Sequence, residues 1–210
     1  MSVGAEMSGV NVQYAVEADP HAALTFRRNH PGVNLLEDDI TNVIAARDMP
    51  LLGQQTKIVF GGPPCQGFST SNQKNRSSAN PNNWLFEEYL RLVEEITPEW
   101  IVFENVKGLI ETENGYFLEQ VLKGIESKGF TTSHFILNSA GFGVPQRRNR
   151  LFIVGSRRGK KINAPSPTVK KYVSVREALH DLPDLQNGDS RDLEYYRWRL
   201  QELSATRSLN

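Results

Sequence analysis

Apolar residues follow two rhythms along this chain. Contiguous stretches at Val12 to Val16, at Lys57 to Phe60 and at Trp100 to Phe103 predict short buried strands. Leu85, Phe86, Tyr89, Leu90, Val93 and Ile96 instead recur at helical spacing, which marks one apolar face, and Pro98 closes that helix. Asp19-Pro20 couples a side-chain cap to a proline at the first helical position, so a helix runs to about Asn29 and Pro31 stops it. Tyr116 to Lys128 predicts a further helix that ends near Gly129. Thr132 to Leu137 and Arg150 to Val154 flank a polar connector and predict a hairpin-type pair. Strand and helix alternate, and the expected architecture is α/β: a mostly parallel sheet with an antiparallel edge hairpin. Ser174-Val175-Arg176-Glu177 has the spacing of a capping box that opens a short helix.

Composition adds exclusions. A length of 210 residues suits one sizeable core and a tail. Lys plus Arg and Asp plus Glu number 24 each, so any attraction to nucleic acid must come from local clusters. The single cysteine, Cys65, allows neither an internal disulfide nor a thiolate zinc cage. His21, His30, His134 and His180 show no metal-ligand spacing and are expected as surface or capping residues, so no metal is expected. No apolar run is long enough to cross a membrane or to serve as a signal segment, and a cytoplasmic protein is expected. Beyond Gly155 the chain turns basic and proline-bearing, and Asp189 to Asn210 is highly charged with little apolar surface. A main domain over 1–160 and a connector over 161–210 follow from that change.

Candidate chemistry gathers at strand exits. Gly61-Gly62-Pro63-Pro64-Cys65-Gln66-Gly67-Phe68-Ser69 directly follows the strand at Lys57 to Phe60. Its glycines and prolines set an irregular turn, which holds the lone sulfur where open α/β sheets bind small molecules. A buried structural cysteine after a turn is the alternative. Glu17 and Asp19 follow the first strand and Glu104 the third, and in a parallel sheet all three exits share one edge. Gln146-Arg147-Arg148-Asn149-Arg150 precedes a strand and brings guanidinium groups within reach of the same place. Taken singly, these are solvated caps and a wet arginine face. Taken together, they are a thiol nucleophile, a carboxyl group and fixed positive donors.

In this order and spacing, the Gly61 to Ser69 run, Glu104-Asn105-Val106 and Gly143-Val144-Pro145-Gln146-Arg147-Arg148-Asn149-Arg150 resemble the cytosine-5 DNA methyltransferase family, from about residue 5 to 185. Ala15-Val16-Glu17-Ala18-Asp19-Pro20 and Asp38-Asp39-Ile40 resemble its cofactor segments. The resemblance implies a Rossmann-like sheet and methyl transfer from S-adenosyl-L-methionine to carbon 5 of cytosine in double-stranded DNA. It implies a prokaryotic or phage-type setting of restriction and modification. Cys65 would add to carbon 6 of a flipped base, with Glu104 at N3, Arg150 at O2, and Arg148 near Glu104 and a backbone phosphate. Glu17 would hold the cofactor ribose, Asp39 the adenine amino group and Ile40 the ring, with Gly62, Pro64 and Leu85 on the methionine side. Gln66, Ser69 and Arg76, in the polar segment up to Asn83, would close over DNA.

The resemblance has gaps. The family's glycine-rich first motif is absent, no target-recognition domain or final returning helix is seen, and Asn82 stands where an arginine is usual. The expectation is a catalytic domain incomplete at both ends and a connector toward a missing recognition domain. Alone it would bind S-adenosylmethionine weakly without turnover, and a C-terminal fragment or subunit would complete it. Two other readings stay open: a tRNA cytosine-5 methyltransferase of the related branch, and a non-catalytic subunit of a split enzyme.

Overall fold

The computed structural model describes residues 1–50, 55–63, 85–111 and 115–180. Met1–Tyr172 form one compact unit and Val173–Asn210 a second. In the second, the described part holds one short helix, Val175–Leu179. Its predicted capping box is formed, with Ser174 accepting from the Glu177 N–H and the Glu177 carboxylate accepting from the Ser174 N–H. Residues 161–172, read from composition as connector, pack with the first unit. The Ile162 N–H donates to Ser133 Oγ at 2.9 Å, the Thr168 N–H donates to the Gly141 carbonyl at 2.9 Å, and Pro167 lies over Gly141.

The first unit alternates helix and strand. It opens with α1 (Ser2–Met7), β1 (Tyr14–Val16), α2 (Pro20–Asn29), β2 (Asn34–Leu36) and α3 (Ala45–Asp48). It continues with β3 (Ile58–Gly61), α4 (Leu85–Ile96), β4 (Trp100–Val106), α5 (Gly108–Glu111), α6 (Tyr116–Ser127), β5 (Thr131–Asn138) and β6 (Asn149–Ser156). Asp19 caps α2 by accepting from the Ala22 N–H at 2.7 Å, with Pro20 at the first helical position. Gly129, at φ 83°, takes the left-handed turn after α6 that a side chain would resist.

Among the described residues the strands form two sheets. β1 and β2 pair in parallel, and a four-stranded sheet runs β3-β4-β6-β5. β3 and β4 are parallel, whereas β6 lies antiparallel between β4 and β5, which is the predicted hairpin at the predicted edge.

Helix α4 joins the two parts. Tyr89, Leu90 and Val93 enter a core with Ile101, Phe103, Leu151 and Ile153, against which α6 also packs. Leu92 and Ile96 enter a second cluster with Val43, Ala45 and Met49, on which Tyr14 and Val16 of β1 and Val59 of β3 rest. The first strand is shorter and less buried than its sequence suggests: Val12 is buried, but Tyr14, Ala15 and Val16 are only half-buried, because one long edge of β1 borders a cavity. β2, α1, α3 and α5 are too short to carry a readable period.

Candidate active site

Strand alternation sets the site. In β4, Ile101, Phe103 and Asn105 point to the helix-covered side, and Trp100, Val102, Glu104 and Val106 to the other. In β6 Leu151, Ile153 and Gly155 alternate as buried positions, so Arg150 shares the face of Glu104. Arg150 pairs in register with Val106, one diagonal step from Glu104, and its Nε reaches Glu104 Oε1 at 3.0 Å. Both side chains are about four-fifths buried, at 22% and 23% exposed, so the pair is far less screened than a surface pair.

The exit of β3 comes up against this carboxylate. A Cβ on Gly62 would stand 2.9 Å from Glu104 Oε2 and 3.3 Å from the Glu104 carbonyl oxygen. Only glycine gives the carboxyl that space. The buried Asn105 donates from Nδ2 to the Pro63 carbonyl at 3.1 Å while its Oδ1 accepts from the Val106 N–H. The start of the Gly-Gly-Pro-Pro-Cys turn is therefore fastened to the strand that carries Glu104. Cys65, Pro64, Gln66, Ser69 and Arg76 lie outside the described residues.

Arg148, expected near Glu104, is exposed, and the guanidinium that the described structure pairs with Glu104 is that of Arg150. The connector that carries Arg148 is itself held. Its carbonyl accepts from the Ser139 N–H at 3.0 Å, and Ser139 Oγ donates to the Gln146 carbonyl at 2.7 Å.

Glu17, Asp39, Ile40, Gly62 and Leu85, the described cofactor candidates, all line one cavity of about 1200 Å³. Glu17 Oε1 accepts from the Asp19 N–H at 3.0 Å, which orients the carboxylate just beyond β1. Asp39 accepts from the Thr41 N–H at 2.9 Å, and this hydrogen bond holds its carboxyl below the usual range. Glu17, Asp38 and Asp39 give the mouth three carboxylates, which suits a ligand carrying a positive charge and hydroxyl donors.

In the sequence Arg91 is one more polar position on α4, with no local signal of a special role. It donates from Nη2 to the Ile40 carbonyl at 2.8 Å and from Nη1 to the Val43 carbonyl at 2.9 Å, while Glu88 and Glu95 hold it from behind. It thereby clamps the Asp39 to Val43 loop on α4. His30 also differs from a plain surface residue. It is the C-cap of α2, yet it is buried between Ser2 Oγ at 3.0 Å and Glu6 Oε2 at 2.8 Å, which fastens α1 to α2.

Among the described residues no helix is long and apolar enough to cross a membrane, and no three His, Cys, Asp or Glu side chains group to hold a metal. An open α/β sheet with its ligand mouth at strand exits is the framework of a Rossmann-like, S-adenosylmethionine-dependent methyltransferase. An E. coli structure described as a DNA modification methyltransferase encoded within a prophage superimposes with a TM-score of 0.71 at 27% identity, covering 88% of this chain and 52% of that one. A Spodoptera frugiperda DNMT2 structure shares the fold with a TM-score of 0.54 at 22% identity, covering 80% of this chain and 49% of that one. The family model for C-5 cytosine-specific DNA methylase matches residues 1–208, and the chain belongs to that family. Type II methyltransferase M.AquIA of Picosynechococcus sp. is 36% identical over 214 residues, covering 87% of this chain and 84% of that protein. Type II methyltransferase M1.HphI of Haemophilus parahaemolyticus is 33% identical over 191 residues, covering 90% and 51%. The chain spans about half the length of M1.HphI and of the prophage protein.

Proposed function

We propose that this chain carries the catalytic half of an enzyme that methylates carbon 5 of cytosine in DNA, with Cys65 as nucleophile and Glu104 as the carboxyl that handles the proton at N3. One observation carries the reading: the Glu104 carboxylate is fixed by Arg150 at 3.0 Å and stands against Gly62, in the run Gly62-Pro63-Pro64-Cys65.

Carbon 5 of cytosine is a weak nucleophile. Bonding of the Cys65 thiolate to carbon 6 turns the ring into an enamine and pushes electron density toward carbon 5 and N3. Glu104 shares a proton with N3 as that charge develops, and Arg150, held beside it, offers a fixed cationic donor toward O2. When bound, S-adenosyl-L-methionine supplies the methyl group as an electrophile on a sulfonium. The residues present fit it: Glu17, Asp38 and Asp39 make the mouth negative, and Gly61 and Gly62 hold backbone where a Cβ would meet Tyr89 or Glu104. The hydrogen on carbon 5 then leaves as a proton, the ring electrons return, and the bond from carbon 6 to Cys65 breaks. A stacked base cannot meet these groups, so the cytosine is flipped out of the duplex. Gln66, Ser69 and Arg76, with exposed Arg148, are the proposed contacts to DNA, and Pro64 the remaining contact to the cofactor.

Trapping on DNA that contains 5-fluorocytosine, with S-adenosylmethionine, tests the assignment because fluorine blocks the last elimination. The chain, alone and with a C-terminal recognition fragment supplied, is expected to give an adduct at Cys65 in at least the complemented arm. Cys65→Ser and Glu104→Gln should lose it. No adduct in either arm would overturn the reading, and an adduct on fluorocytosine-containing tRNA alone would replace it with the RNA branch.

A further inference from the structure

Charge in this chain is balanced in number but divided in place. From Gly129 to Tyr172, within the first unit, there are nine Lys and Arg and no Asp or Glu, so all 24 acidic residues lie outside that stretch. In the other parts of the unit basic side chains sit beside acids, as Lys107 beside Glu111, Lys123 beside Glu119, and Arg91 between Glu88 and Glu95. The cavity mouth carries Glu17, Asp38 and Asp39. A solvated face that mixes both signs attracts nothing in particular. One that carries a single sign sets up a field that draws in a polyanion.

Two connections bring part of this positive charge to the end of the sheet that bears Glu104. Asn138 of β5 pairs with Asn149 of β6, and Arg150 pairs with Leu137 on one side and Val106 on the other, so the connector 139–148 lies at the Glu104–Arg150 end. Arg147 stands between two carbonyls that Ser139 holds, that of Gln146 at 2.7 Å and that of Arg148 at 3.0 Å, which fixes the backbone from which its side chain leaves. The second connection is the strap after β6. It starts beside Ser133 and ends on Gly141, whose carbonyl accepts from the Thr168 N–H at 2.9 Å and the Val169 N–H at 3.2 Å. Val169 Cγ1 lies 3.5 Å from where a Cβ on Gly143 would stand, so the next residue, Lys170, emerges beside the connector. Arg147, Arg148 and Lys170 are exposed and have no acidic partner among the described residues, whereas Arg150 is occupied by Glu104.

We propose that Arg147, Arg148 and Lys170 form a cationic ledge that grips the phosphate backbone of duplex DNA beside the flipped cytosine, so that this chain holds DNA without regard to its sequence. The inference rests on the proposed methyl transfer and adds to it Arg147, Lys170 and the strap that places Lys170. Phosphate contacts fix position and carry no sequence information. Each neutralised phosphate releases condensed counterions, so three contacts contribute about −2.7 to the slope of log affinity against log salt. Arg158 and Lys160 are equally basic but follow the other end of β6, roughly 20 Å from Arg150 at strand spacing, and take no part. The carboxylates of the cavity mouth repel the backbone and leave that side to the cofactor.

Fluorescence anisotropy of a labelled DNA duplex with the full chain, over about 50 to 200 mM salt, tests it. The double variant Arg147→Gln with Lys170→Gln is expected to flatten the salt slope by about two and to weaken binding at least about tenfold at the lowest salt. Arg147→Lys with Lys170→Arg keeps both charges and should keep the slope. Arg158→Gln with Lys160→Gln removes the same net charge from the other end of β6 and should leave the slope unchanged. Three results would overturn the proposal: an unchanged slope in the first variant, an equal flattening in the third, or tRNA bound at least about tenfold tighter than the duplex, which would make RNA the partner. The fluorocytosine trap separates this inference from the reading beneath it. An adduct at Cys65 with equal slopes in all variants strikes the ledge alone, whereas no adduct with the slope effect present strikes the methyl-transfer reading and leaves a phosphate-binding surface.

Discussion

Helix α4 serves two cores with opposite outcomes. On one side Val93 meets Ile101, Phe103, Leu151 and Ile153, all fully buried at 0% exposed, under a sheet of four strands in continuous register. On the other side Leu92 and Ile96 lie beneath a gap, and the strand across it, β1, is half-buried and three residues long. The closed half carries Glu104, Arg150 and the anchored Gly62-Pro63 exit, the groups proposed for the chemistry, whose relative placement that proposal requires to be held closely. The open half carries Glu17, Asp39 and Ile40, held by caps, turns and the Arg91 clamp rather than by packed strands. The residues proposed for the chemistry and those proposed for the cofactor thus fall in regions packed to different degrees.

That contrast can be broken or sharpened by mutation. The largest effect is expected from Phe103→Ala, which should destabilise the protein by about 3–5 kcal/mol in denaturant unfolding, as a filled core loses an aromatic ring. Val16→Ala in the open half should lose less than about 1.5 kcal/mol, because its site is only half-buried. Equal losses would mean that the two halves are one cooperative core.

Gly62→Ala is expected to leave folding nearly intact and to reduce fluorocytosine adduct formation by at least about tenfold, the equivalent of about 1.4 kcal/mol. The new methyl group would displace the Glu104 carboxylate from Arg150. Wild-type adduct yield would show that this carboxylate needs no fixed place. Arg91→Ala should destabilise the open half by about 1–2 kcal/mol, since the Ile40 and Val43 carbonyls lose charged donors. Exchange at the Thr41 to Ala45 amides should quicken while β6 amides hold steady.

The smallest effect is that of acid. Asp48 is held down to about 2 by the Arg47 guanidinium and the Ile44 N–H, and Asp39 is lowered by the Thr41 N–H. Both folded values lie below the ordinary 3.8, so their stabilisation is complete above that value and disappears as pH falls toward 2. Amides around Ile44 should therefore gain exchange relative to those of β6 between pH 5 and pH 2, after correction for intrinsic rates. Uniform behaviour across both regions would remove the contrast.

Long periodic elements were legible because their apolar positions repeat often enough to fix a face. α4 appears over Leu85–Ile96 and α6 over Tyr116–Ser127, and the β5–β6 pair lies at the predicted edge. The three-residue β2 and the one-turn helices α3 and α5 repeat nothing, and their formation rests on tertiary contacts such as the Glu95 carboxylate accepting from the Ala45 N–H at 2.8 Å. Within the site, the residue types Glu104 and Arg150 were readable from their motifs. Their pairing was not, because it depends on which residues of β4 and β6 stand opposite, and a hairpin shifted by one residue would send Arg150 to the other face. Arg91 and Asn105 act on backbone carbonyls 48 and 42 residues away, and such long-range contacts leave no local signal.

By itself the sequence determined the alternation of strand and helix, the irregular Gly-Gly-Pro-Pro-Cys turn and the family, since periodicity, turn chemistry and motif spacing are written locally. Only the tertiary structure decided that β6 inserts between β4 and β5, that Arg150 rather than Arg148 meets Glu104, and that a gap separates β1 from β3. The physical reason is that register and strand order are set by side chains burying against partners far away in the chain, and no local pattern records which partners those are.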